Sequence, residues 1–433
     1  MIGAGVAGLA AARELHGLGR EVIVLEARDR IGGRILTVRD PRVPMPIELG
    51  AEFVHGEAPE TRRVLREAAV GTVALPGEHW SATGGTLRPA QALGGIDQVL
   101  SRIDPGAPDC SLSEFLAQRP GGRRLAAARQ ATRMFIQGFD AADPDRISVR
   151  SIAAESGAQP TGAALHSERL FQGYDHVPGH LARGLGDRVR LGTVVSGIAW
   201  RRGSANVTAR VRRGRTLRLR ARAAVVTLPL GVLQQEPGGP GAVELEPDPP
   251  SIRRAIDALT MGTVTHLTFA FREFPWVGLE PRRGGPLDAL GFLHLPEGPF
   301  HVWWTLQPLR WPIAVAWCGG PASRALSRLP RRELEDTAVR GLARALGVPA
   351  RRVRDRVIRT WTHDWNRDPF SRGAYSYTVA GGVRAARGLA RPVEGTLFFA
   401  GEASHQDESG TVNGAIASGL RAARQVEAAL RAG

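Results

Sequence analysis

The 433-residue sequence contains no lysine. A chain without that amine cannot form a Schiff base through a side chain of its own. Nor can it build the P-loop, whose lysine reaches the β- and γ-phosphates. It has two cysteines, Cys110 and Cys318, and no CxxC, which excludes a disulfide framework, a zinc ribbon and a thioredoxin-like motif. No metal site is expected. No apolar run approaches ~18 residues, so no segment reads as a membrane-spanning helix. No GxSxG elbow marks a nucleophilic serine. Blocks of like charge are missing too. All 57 basic side chains are arginine, against 42 acids, for a net charge of +15. They fall singly or in pairs such as Arg123-Arg124, Arg253-Arg254 and Arg331-Arg332. Scattered arginine beside abundant Ala, Gly and Pro reads as a solvated surface from a GC-rich, bacterial coding sequence, not a nucleic-acid face.

With 43% hydrophobic and 23% charged residues the chain is of globular composition, and its length suggests two or three domains. Its strongest local signal comes first. Gly3-Ala4-Gly5-Val6-Ala7-Gly8 is a GxGxxG. A helical pattern follows through Leu9, Ala12, Leu15 and Leu18, stopping at Gly19, and Glu21 to Glu26 then reads as a buried parallel strand ending in an acid. Glycines at a helix start let a pyrophosphate approach free N–H groups at the positive end of the helix dipole. Glu26, 18 residues past Gly8, can accept hydrogen bonds from ribose hydroxyls. Together these parts predict dinucleotide binding. The motif ordinarily follows a strand, yet only Met1 and Ile2 precede it, so the expectation is that the natural start lies upstream. A signal peptide is a poor reading of this start, which has no basic leader; a cytoplasmic location is expected, with an export signal upstream of the missing strand as the alternative.

Residues 60–180 read as mostly helical. Val207–Arg213 and Thr216–Arg222 read as a hairpin, and Ala224–Pro229, 264–271, 314–318 and Thr396–Ala400 as strands. Arg331–Leu346 and Val412–Leu430 read as helices. A dinucleotide-binding start and a strand–loop–helix end imply one discontinuous α/β domain with another inserted into it.

Several longer motifs resemble the flavin-containing amine oxidases. Gly3 to Gly8, with Leu25-Glu26-Ala27-Arg28-Asp29-Arg30-Ile31-Gly32-Gly33-Arg34, resembles their FAD-binding opening. Ile47–Gly56, which holds Gly50, Glu52 and His55, is similar to the next segment of polyamine oxidases. Leu228–Leu233, Asp368–Tyr377 and Leu397–Gly414 resemble motifs shared with lysine-specific demethylases. The resemblance implies a glutathione-reductase-type, Rossmann-like FAD-binding domain (1–58, 180–235 and 378–433) and an inserted mixed α+β substrate domain (59–179 and 236–377). It implies non-covalent FAD, because Ala374 stands where monoamine oxidases attach the cofactor through cysteine. Gly33 and Arg34 would meet the phosphates and Arg28 the adenosine side. The Val195 backbone would hold the adenine, unless Val195 is plain core. Glu402 would lie by the ribityl chain, and the helix starting at Thr411 and Val412 would face the flavin's pyrimidine edge. Tyr375 would wall an aromatic channel before the flavin, with Tyr377 in the channel or the core. Thr411 replaces the second tyrosine of monoamine oxidases. His266 falls where the family usually has a lysine that holds a water. It is expected to titrate near neutral pH and to face away from Leu267, Phe269 and Phe271, or else to be a structural histidine. His55 is a second candidate for the substrate nitrogen, or a loop histidine.

The implied activity is oxidation of a small-molecule amine, a polyamine or monoamine, by hydride transfer to flavin, with O2 reduced to H2O2. An L-amino-acid oxidase or desaturase on the same fold, and a non-catalytic flavoprotein, remain alternatives. Neither a nucleic-acid nor a membrane partner is expected, and the sequence leaves the oligomeric state open.

Overall fold

Four distant stretches of chain meet in one parallel layer. In the computed structural model, which describes residues 1–75, 78–90, 95–158, 167–211, 214–281 and 287–432, Ile2 bridges to both Leu25 and Val226. Val24–Leu25 pairs with Val189–Arg190, and Ala224–Val226 pairs with Leu397–Phe399. Ile2, Val24–Leu25, Ala224–Val226 and Leu397–Phe399 are apolar and buried, as helix-covered parallel strands are, while Val189–Arg190 at the edge is partly exposed. The helix Val6–Gly17 leaves the first strand and packs on the long helix Val412–Ala432. Their backbones touch: a Cβ on Gly419 would lie 2.2 Å from the Ala7 carbonyl oxygen. The first helix ends at Gly17, and Leu18, read above as part of its apolar stripe, is 48% exposed. Val64, Leu65, Tyr174 and Val177, assigned by the resemblance to the inserted part, join the core around this layer.

A second layer is a seven-stranded sheet in the order Val357–Trp361, Val264–Phe271, Ile313–Gly319, Val302–Thr305, Leu290–His294, Glu78–Thr83 and Thr86–Pro89. Side chains alternate across it. Leu267, Phe269, Phe271 and Trp303 pack under the helix Arg331–Leu346, while His266, Trp304 and Trp317 turn to the opposite side, into the large cavity described below.

The helical expectation for 60–180 holds in part. Helices span Pro59–Ala68, Ile96–Leu100, Leu112–Ala117, Ala126–Phe139 and Val149–Ala158, but Thr72–Ala74, Glu78–Thr83, Thr86–Pro89 and Ser167–Leu170 are strands. Glu78–Thr83 owes its conformation to pairing with Leu290–His294, a partner that no local pattern reveals. The hairpin forms between Ser204–Val211 and Thr216–Ala221; Arg212 and Arg213 lie outside the described residues.

Candidate active site

The two layers enclose a single continuous cavity of about 970 Å³. One end is built by the glycine turn. Gly3, with φ +106°, brings its backbone under Thr227, whose hydroxyl donates to the Ile2 carbonyl at 2.9 Å. Gly5 lines the cavity, and a Cβ there would meet nothing within 4 Å. No side chain caps the helix that starts at Val6, so its first N–H groups remain available to an anion. Gly33, at φ +60°, approaches the Gly5 Cα closely enough that a Cβ would sit 3.3 Å away. Gly8 does not line the cavity. It lies one turn inward, where a Cβ would stand 2.1 Å from the Gly3 carbonyl oxygen. An uncapped helix start beside open space fits the phosphates of a dinucleotide cofactor, and the length of the cavity leaves room for the rest of it.

Acids at this end are held by arginine and by the backbone. Glu26 accepts from the Ala4 and Arg28 N–H groups at 2.7 and 2.9 Å. Arg28 pairs with Asp368 at 2.8 Å and lies over the Phe370 ring. Asp368, despite burial, stays well below the usual carboxylate range because His363 and Arg28 both bond it. Gly50 and Val195 also line the cavity; Gly50 is pressed against the Arg34 carbonyl, and the strand through Val195 bulges between Val195 and Gly197.

Glu402 ties the middle of the site together. It is 5% exposed and accepts from Arg34 at 3.0 Å, from the Ser376 hydroxyl at 2.7 Å and from the Gly410 N–H at 3.1 Å. Arg34 also donates to the Ala374 carbonyl. Thr411 accepts from the Gly414 N–H at 2.9 Å, so its hydroxyl caps the long helix, and Val412 follows on the wall. Tyr375 lines the cavity with its hydroxyl donated to the Phe139 carbonyl.

Beyond Tyr375 the wall is aromatic: His55, Phe135, Phe139, Phe292, Trp304, Trp317 and Trp365. His55 Nδ1 lies 2.8 Å from the Ser167 hydroxyl, and burial lowers its pKa to about 4. Glu52 is also buried. It forms an ion pair with Arg169 at 2.8 Å and accepts from the Trp304 indole at 3.0 Å. Burial raises its pKa although Arg169 opposes the shift. His266 faces the cavity as its strand position implied, but it does not titrate near neutrality. Desolvation, aided by His363, lowers its pKa to about 4, so it is uncharged at pH 7.

All but one of the residues singled out in the sequence thus line one space, Gly8 being the exception. The motifs missed Trp304 and Trp317, and the acids Asp140 and Glu155. They also missed the pair His79 and His294, whose Nδ1 and Nε2 atoms lie 2.9 Å apart. Burial lowers both histidines to about 4, and His79 opposes the charging of His294. A histidine with a native pKa below its unfolded value of ~6.5 stabilises the fold fully above that value, and the contribution is lost as pH falls towards ~4. Replacement His294→Gln should therefore narrow its melting-temperature deficit against the parent between pH 7.5 and pH 5, as read by paired thermal melts; a deficit that widens on acidification contradicts this. Among the described residues no group of three His, Cys, Asp or Glu could hold a metal ion, and no helix is long and apolar enough to cross a membrane.

Comparison with known proteins agrees with this geometry. The profile of the family described as flavin containing amine oxidoreductase matches residues 6–173 and 109–427. Polyamine oxidase 2 of Arabidopsis thaliana is 28% identical over 98% of this chain and 86% of its own length. Lysine-specific histone demethylase 1 homolog 3 of the same plant is 25% identical over 100% of this chain but only 30% of its own. In fold, the chain superposes on wild-type putrescine oxidase bound to putrescine with a TM-score of 0.81 at 21% identity, covering 99% and 98% of the two chains. Cyclohexylamine oxidase from Brevibacterium oxydans IH-35A gives 0.80 at 21%, with the same coverage.

Proposed function

This chain belongs to the flavin-containing amine oxidoreductases, and from that premise we propose that it is an oxidase of small aliphatic amines that holds FAD non-covalently, Ala374 offering no cysteine for attachment. The observation that carries the reading is the continuity of the cavity from the bare helix start at Gly5 and Val6, past Tyr375, to the aromatic wall. Bound there, FAD would supply hydride-accepting chemistry: a neutral amine would lose its α-hydrogen with two electrons and then a proton, water would hydrolyse the resulting imine, and O2 would take the two electrons with two protons as H2O2.

The chain's own residues divide the remaining work. Gly3, Gly5, Gly33 and the first turn of the helix at Val6 receive the pyrophosphate, with Arg34 beside it. Glu26, Arg28 and the Val195 backbone take the adenosine part. Glu402 fixes Arg34 and the Ser376 backbone next to the ribityl chain. The helix start at Thr411 and Val412 favours negative charge on the facing ring edge. Tyr375 presents an aromatic face that tolerates methylenes and attracts a cation. His55, neutral and engaged at Nδ1, offers Nε2 to the substrate nitrogen. Neutral His266 holds a water by hydrogen bonding. The tryptophans exclude bulk water.

The α-carboxylate alternative is disfavoured by the arginines. Among the described residues those on the cavity wall are Arg28 and Arg34, and each is already ion-paired. An amino-acid oxidase needs a bidentate arginine at the substrate. The test is an amine panel against the yellow holoenzyme. Anaerobic bleaching of the flavin and aerobic peroxide release are expected with simple amines. The α-carboxylated analogue of the best amine should have at least about 100-fold lower kcat/KM. Failure of every amine to bleach the flavin, or a preference for the carboxylated analogue, overturns the reading.

A further inference from the structure

Charge is unevenly placed along this chain. The 48 residues from Arg188 to Gln235 include 11 arginines and no aspartate or glutamate, where the mean of 42 acids in 433 residues would place about five. This one segment therefore carries +11 of the net +15.

The fold gathers these arginines on one side of a sheet. Thr193–Arg201, Ser204–Val211 and Thr216–Ala221 form an antiparallel meander, with Glu244–Glu246 along its far edge. Val195, Ile198, Trp200, Val207, Leu217 and Leu219 pack on the inner face. By alternation the outer face holds Arg201, Asn206, Thr208, Arg210, Arg218 and Arg220, with Thr208 opposite Arg218 and Asn206 opposite Arg220. Arg202 and Arg215 stand beside it in the turns, and Arg222 follows the edge strand. All seven arginines are exposed. None forms an ion pair among the described residues, and Arg222 alone donates a side-chain hydrogen bond, to the Leu430 carbonyl at 3.5 Å. The acids of this sheet, Glu244 and Glu246, sit opposite Gly197 and Ala199, so the edge at Thr216–Ala221 is purely basic.

The expectation of no nucleic-acid partner rested on arginine being scattered over the sequence; the folded chain instead concentrates unpaired arginine in one place. We propose that the face built by Arg201, Arg210, Arg218 and Arg220 docks on the phosphate backbone of double-stranded DNA without reading its sequence. Thr208 and Asn206, between the arginines, supply the short polar contacts that phosphates also accept. No exposed large apolar side chain belongs to these strands. The face therefore has neither an aromatic platform for single-stranded bases nor an apolar wedge for a bilayer. A flat sheet face presents no helix to the major groove, so base edges go unread. At ~3.3 Å per residue the six residues Thr216–Ala221 run about 20 Å, enough to meet about six base pairs of a duplex. Such a duplex is surrounded by condensed small cations. Under the proposed function, docking would hold the oxidase where alkylammonium ions collect; that benefit rests on the amine-oxidase reading, whereas the docking itself does not.

Fluorescence anisotropy of a labelled duplex of about 20 base pairs, titrated with holoprotein, is the test. The Kd at 50 mM salt should be below about 10 µM, and log K should fall against log salt with a slope of about −4 to −6. In Arg210→Ser/Arg218→Ser/Arg220→Ser the Kd should rise at least about 10-fold and the slope should shrink by about 3. Arg123→Ser/Arg124→Ser/Arg332→Ser removes equal charge from other exposed positions and should bind as the parent does. Flavin content and melting temperature check that both variants are folded. Phenylglyoxal footprinting of the parent needs no variant: the duplex should shield Arg210, Arg218 and Arg220 but not Arg123 and Arg124. The proposal is overturned by absence of duplex binding at 50 mM salt, by equal weakening in the two variants, or by no shielding at the sheet. Tighter binding to phosphatidylglycerol vesicles than to duplex, at equal phosphate, overturns it in favour of a membrane surface. None of these measurements uses amine turnover, so failure of the amine panel leaves the docking result standing, and the reverse.

Discussion

Gly8→Ala should purify colourless. The residue does not line the cavity, yet its Cβ would lie 2.1 Å from the Gly3 carbonyl oxygen and 2.9 Å from the Thr227 hydroxyl. Neither can retreat cheaply. Gly3 is locked between strands by its N–H, donated to the Leu25 carbonyl at 2.8 Å, and Thr227 is fixed by its own bond to Ile2. Overpacking of this kind typically costs about 1–3 kcal/mol. Here the relief is to lift the helix start away from the turn, which misaims the N–H groups that meet the phosphates. The expected result is flavin occupancy of about a tenth of the parent's or less, and a much smaller rise in melting temperature on adding FAD. The absorbance ratio of flavin to protein measures the first and a thermal shift the second. Full occupancy would show that the close helix–strand approach is not what shapes the phosphate site.

Glu402→Ala should be the most destabilising single replacement in the site. It strands Arg34, the Ser376 hydroxyl and N–H, and the Gly410 N–H, all inside the fold. Removing one partner of a buried, hydrogen-bonded ion pair costs about 3–5 kcal/mol. Urea unfolding of holoprotein gives the measurement. Glu402→Gln, which keeps an acceptor of the same shape, should lose distinctly less. A loss below about 1 kcal/mol for the alanine variant would mean that water replaces the carboxylate.

What could be read from the sequence was what is local. The glycine turn, the Arg331–Leu346 helix and the long helix from Val412 announce themselves through short-range spacing, and the structure places them where their periodicity says. The alternation of His266 with Leu267 told which face of the strand turns to the cavity. The ionisation of His266 could not be read the same way, because burial by distant segments decides it. The strand Glu78–Thr83 and the His79–His294 contact depend on pairing across more than 200 residues, and Trp304 and Trp317 belong to no motif. Asp140 and Glu155 did leave a trace: acids beside apolar helix faces. Only the fold shows that, among the described residues, no arginine pairs with them.

The close packing of the first and last helices has a consequence for biosynthesis. Residues 3–8 and 26–34 leave the ribosome early, but their counterparts at 401–412, and the helix that clamps Ala7 through Gly419, are translated some four hundred codons later. Until then the nascent chain exposes a half-built nucleotide cleft and its apolar sheet, surfaces of the kind that invite chaperones. Cofactor loading is therefore a late event that follows translation, and truncated products would emerge as apoprotein.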